Sequence, residues 1–137
     1  MNSNKQNLKN VIDNFLSQST KTLQLGKDNE ENLNEDEIKT LAEKIWELRH
    51  FSIELLECYP DESTQYNASI IKEVVEQPIV LEDRKKPKIS LVQAADAAKK
   101  NNDLRPLTLI IKALNQKPTY SETFFEDLKQ ISLELAA

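Results

Sequence analysis

Glycine is nearly absent from this chain: one residue, Gly26, among 137. Tight hairpins use glycine for positive φ, and phosphate-cradling loops use it for close backbone approach, so both are disfavoured. Cysteine is equally scarce. The single Cys58 excludes an intrachain disulfide and any multi-cysteine metal cage. No apolar run reaches the roughly 20 residues that span a bilayer, and none opens the chain as a secretion signal. A cytoplasmic protein without membrane association is the resulting expectation.

What the chain does contain is 39% hydrophobic and 30% charged residues, enough for a core in one domain. Abundant Leu, Lys, Glu and Ala with so little glycine predict an all-α fold. The expected architecture is a single-domain bundle of five to six helices over residues 1–137, with helices 34–59 and 103–116 at its centre.

The longest and best-punctuated helix runs from Asn34 to Tyr59. Asn34 is a good N-cap, Glu37 completes a capping box, and Leu33 with Ile38 makes a hydrophobic staple. Ile38, Leu41, Ala42, Ile45, Leu48, Ser52, Leu55 and Leu56 follow one helical face. Trp46 and Ile53 widen that stripe on one side, Phe51 and Cys58 on the other. The remaining polar strip is Lys39, Glu43, Glu47, His50, Glu54 and Glu57. So wide an apolar arc is either wrapped by several neighbours or offered to a partner chain.

Shorter helices flank it. Leu8, Val11, Ile12, Phe15, Leu16, Ser19 and Leu23 mark one over 5–25, with 1–4 read as frayed and Gly26 as its stop. Residues 26–33 and 78–89 read as loops. Asp61 or Ser63 caps a third helix with Tyr66, Ile70, Ile71, Val74 and Val75 on its face. Ile79-Val80-Leu81 is expected to lie extended and to set three apolar side chains on the bundle. Ser90 with Gln93 opens a fourth helix faced by Leu91, Ala94, Ala95 and Ala98. Asp103 caps a fifth, with Pro106 in its first turn. Thr119 with Glu122 caps a sixth, faced by Phe124, Phe125, Leu128, Ile131, Ser132 and Leu135. Ala94 to Asn115 resembles one helix pair of the HEAT type, but no second copy follows and a solenoid needs several.

Charge is unevenly spread. Residues 1–83 carry 8 Lys or Arg against 17 Asp or Glu, 84–117 carry 9 against 2, and 118–137 carry 1 against 4. The acidic first part and basic middle either pair with each other or face outside partners.

No catalytic set emerges. Glu47-Leu48-Arg49-His50 has the Glu-x-x-His spacing of di-iron bundles, but those sites need a second such motif, and His50 is the only histidine. Cys58 and His50 are eight residues apart on one helix, about 12 Å along its axis, so they cannot act as nucleophile and base. The acid groups at 30–31, 35–37 and 126–127 have no apolar setting that would raise a pKa for acid catalysis. No catalytic residue, metal ligand or cofactor is therefore assigned.

The expected function is non-enzymatic: a helical protein-binding module, whether adaptor, inhibitor or immunity-type factor, or assembly subunit. Its candidate partner-binding residues are Trp46, Phe51, Ile53, Glu43 and Glu47, with Arg84, Lys85, Lys86 and Lys88 in the basic loop. The partner is another protein, with a second copy of the chain as one candidate. The alternative is a nucleic-acid-associated regulator using the basic 84–117 segment. No aromatic residue lies in that segment to stack on bases, which favours the protein partner.

Overall fold

The computed structural model describes residues 2–28, 33–81, 88–116 and 118–136. Six helices run as α1 (Asn2–Asp28), α2 (Glu35–Cys58), α3 (Glu62–Glu76), α4 (Leu91–Asn101), α5 (Arg105–Gln116) and α6 (Pro118–Ala136). Between α3 and α4, β1 (Ile79–Val80) pairs antiparallel with β2 (Lys88–Ile89), Ile79 opposite Ile89. This all-α bundle is the predicted class, and the two-residue ladder is its one extended feature among the described residues.

Most helix starts follow from local chemistry. The Asn34 side chain accepts the Glu37 N–H at 2.9 Å, and Asp61 accepts the Thr64 N–H at 3.0 Å. Ser90 and Gln93 form the complete reciprocal box, at 3.1 and 2.9 Å. Asp103 accepts the Arg105 N–H at 3.2 Å and so opens α5. α4 ends at Asn102, in the left-handed region at φ 53°, where asparagine substitutes for the usual glycine.

α2 packs along α1, α3 and α4, so its wide apolar arc is wrapped on three sides by its own chain. Ile38, Leu41, Ala42, Ile45, Leu48, Ser52 and Leu55 are buried in it. α5 lies against α1, α4, α6 and β1, burying Leu107, Ile110, Ile111, Ala113 and Leu114. Phe15 of α1 meets Phe125 of α6 edge to face, ring centroids 5.7 Å apart.

Four local expectations are corrected. α1 begins at Asn2, inside the stretch read as frayed. It also runs past Gly26 to Asp28 rather than stopping there. Gly26 has no positive φ. Its role is space: a Cβ would meet Ile111 Cγ2 at 3.0 Å and Leu33 Cδ1 at 3.1 Å, so the chain's single glycine lets α5 and Leu33 close onto α1. Thr119 lies within α6, whose first residue is Pro118, a residue pre-set for the first helical position. Of the three apolar side chains at 79–81, Ile79 and Leu81 are buried while Val80 turns outward at 39% exposure, because strand neighbours alternate faces. The Phe124 side chain lies outside the described residues.

Candidate protein-binding surface

The polar strip of α2 divides into two parts. At its N-terminal half α4 lies against it. Trp46 Nε1 donates to Asp96 Oδ1 at 2.6 Å, the Lys99 ammonium stands 4.8 Å from the Trp46 ring centroid, and Lys99 Nζ pairs with Glu43 Oε2 at 3.2 Å. Hydrogen bond, cation–π contact and ion pair together fasten α4 to α2. Trp46 is half-buried and packs on the core. Trp46 and Glu43, both predicted partner contacts, thus have partners on α4, Trp46 half-buried and Glu43 still exposed, and Lys99 shows the basic segment meeting the chain's own acidic helix.

Phe51 is half-buried and packs on the core, whereas Ile53 is half-buried without belonging to that packed shell. Glu47 is exposed, its Oε1 3.8 Å from Lys44 Nζ. Lys88 is exposed on β2. Arg84, Lys85 and Lys86 lie outside the described residues.

The C-terminal half of α2 differs. Glu54 and Glu57 are exposed and make no ion pair among the described residues, as do Glu62 and Glu73 of α3. Residues 34–77 carry 11 Asp or Glu against 4 Lys or Arg. Between α2 and α3 runs an open groove of about 480 Å³, with Leu56 on one wall and Ser69, Lys72, Glu73 and Glu76 on the other. Arg49 of α2 reaches Glu76 of α3, Nε to Oε1 3.8 Å, and that Nε is buried without a hydrogen bond. Tyr66, three residues before Ser69 on α3, is 69% exposed. Sequence reasoning placed Tyr66 on the buried face. In the helix it stands beside Ser69 and Glu73, on the outward row set by the three-four spacing.

Two further polar clusters are structural. Glu37 does not close its capping box. Its carboxylate turns to α1, accepting from Gln18 at 2.9 Å and pairing with Lys21 at 3.1 Å. Hydrogen bonds from Gln18 and then Lys21 hold its carboxyl below the ordinary value, against a smaller opposing effect of burial. Asp13 ties α1 to α6. Burial alone would raise its pKa, but hydrogen bonds from Lys9 and Ser132, with the Lys9 charge, outweigh that and hold it low.

A carboxyl with a depressed folded pKa stabilises the fold above its unfolded value, and the contribution fades as pH falls through the folded value. Wild-type stability should therefore decline below about pH 4, where carboxylates titrate. Asp13→Asn should flatten that decline while lowering stability at neutral pH. Urea midpoints across the acid range would check this, and parallel curves for the two proteins would contradict it.

Among the described residues no three His, Cys, Asp or Glu side chains come together as a metal set. His50 and Cys58 are both exposed and remain two helical turns apart on α2. Among the described residues no helix is long and apolar enough to cross a membrane. Comparison with family models, with curated proteins and with solved structures finds no match to the chain.

Proposed function

We propose that this protein is a non-enzymatic binding module that docks another protein on the acidic α2–α3 side of its bundle. The observation that carries this reading is unspent charge. Carboxylates at Glu54, Glu57, Glu62 and Glu73 face solvent without an ion pair among the described residues, although the same chain has a basic segment whose Lys99 does reach α2. Uncompensated like charge on one face works against the compact state, and it is useful where it steers an oppositely charged partner. Adaptor, inhibitor and assembly subunit are all served by such steric docking.

The test is affinity capture with the full chain from its source cells, followed by crosslinking mass spectrometry. A recovered protein whose crosslinks concentrate on α2 and α3, and which is lost with Glu54→Lys/Glu57→Lys, supports the reading. Crosslinks confined to α5 and α6, or recovery indifferent to the charge reversal, would refute it.

A further inference from the structure

We propose that the α2–α3 groove seats a basic amphipathic helix, with apolar side chains lodged on Leu56 and lysines or arginines facing the carboxylate rim. This rests on the protein-binding reading above and names the place and the chemistry of the partner. The groove is open to solvent along its length, so a small molecule would remain largely in water while an elongated segment could lie in it.

One apolar side chain of α2 lines the groove, and two more lie on the helices that flank it. Leu56 is half-buried in the groove. Ile53 stands one turn before it on α2, half-buried and outside the packed shell. Tyr66 exposes 69% of its surface on the α3 side, and aromatic residues of this kind serve as interface anchors. Among the described residues only Leu133 on α6, at 68%, is a large apolar side chain comparably exposed.

The charges select the partner. Among the described residues one cation lines the groove, the half-buried Lys72, and Arg49 nearby is committed to Glu76. The carboxylates that line the groove are Glu73 and Glu76, both exposed on α3, and Glu57, one turn past Ile53, is exposed on α2. With 11 acidic against 4 basic residues across 34–77, this side repels an anionic partner and attracts a cationic one at long range. A helix with alternating apolar and basic faces answers both features at once.

The probe is a labelled peptide of about 18 residues, leucines on one helical face and lysines on the other, roughly 27 Å long when helical. Its binding to the full chain is read by fluorescence anisotropy at two salt concentrations. The proposal expects salt-sensitive binding, lost when the leucines are replaced by serine. Glu57→Lys/Glu73→Lys should weaken it about tenfold, while Glu126→Lys/Asp127→Lys on α6 should change it by less than about twofold. Ser69→Trp, which fills the groove, should weaken binding as the reversal does. Circular dichroism confirms that each variant is folded, and the reversal stands as the second variant should the tryptophan disturb α3.

No binding by the wild type up to about 1 mM peptide would overturn the proposal. So would equal weakening by the α6 reversal, which would mean diffuse attraction. A wild-type dimer in sedimentation that Ser69→Trp dissociates would assign the groove to a second copy instead. Crosslinks to a partner on α2–α3 that persist while the peptide fails would remove this proposal alone and leave the protein-binding reading standing.

Discussion

Phe15→Ala should destabilise the fold by about 3–5 kcal/mol, the range for emptying a well-packed aromatic site. Phe15 is fully buried, at 0% exposure, and meets Phe125 edge to face with centroids at 5.7 Å. The loss combines removal of buried apolar surface, the void left in a dense interior, and an aromatic pair worth about 0.5–1.5 kcal/mol beyond its area. Because domain stability is typically about 5–15 kcal/mol, one such change consumes a large fraction of it. α6 should loosen first, since Phe125 and Ser132 tie it to α1. Urea denaturation followed by circular dichroism measures the total, and hydrogen exchange locates the loosening. A loss under about 1 kcal/mol would mean that the α1–α6 contact is not part of the working core.

Gln65→Glu should cost about 2–3 kcal/mol at neutral pH, from lost hydrogen bonds and an anion placed against a helix C-terminus. The Gln65 amide, on α3, donates to the carbonyls of Leu56 at 2.9 Å and Tyr59 at 2.6 Å, with a longer approach to Leu55 at 3.4 Å. A helix leaves its last carbonyls without intrahelical donors; here Leu55 also accepts the Tyr59 N–H at 3.1 Å, and the Gln65 amide serves Leu56 and the C-cap Tyr59. α2 has no basic residue in its last turn to compensate them. A carboxylate in that place only accepts, so it meets acceptors with an acceptor.

The sign of the pH dependence separates this from simple loss of contact. The introduced carboxyl would have its folded pKa raised above the unfolded value, so its penalty is present at neutral pH. As pH falls through that raised value toward about 4.3 the neutral acid forms and can donate, so the gap to wild type should narrow over that range and stay small below it. Gln65→Ala should cost less, about 1–2 kcal/mol, with no such recovery. Thermal melts at neutral and acid pH would decide. If Gln65→Glu matches Gln65→Ala at neutral pH, the carboxylate does not meet those carbonyls, and if neither variant loses stability, the amide is not holding the end of α2.

The candidate surface was only partly legible. The acidic row on α2 could be read from its spacing, and Glu54 and Glu57 stay exposed as that spacing implies. Trp46 could not be placed, because a residue flanking an apolar stripe looks the same whether it anchors a partner or an adjacent helix. Its Asp96 acceptor lies 50 residues away in sequence. The outward Tyr66 was misread for a related reason: with Ile70 and Ile71 following it, the three-four spacing admits two faces, and packing against α2 chooses between them.

The chain by itself determined the all-α class, narrowed the helices to five or six, and determined most of their starts. Asn34, Asp61, Ser90 and Asp103 act on N–H groups two or three residues ahead, so contiguous sequence contains the whole interaction. Tertiary structure decided what each side chain does once helices meet. It drew Glu37 away from its own cap to Gln18 and Lys21, joined Asp13 to Ser132 across 119 positions, and set Gln65 on the end of α2. It also turned Gly26 from an apparent stop into the notch where α5 and Leu33 come close. Caps and periodicity reach no further than one helical turn, whereas these partners are brought together only by burying the apolar faces against one another.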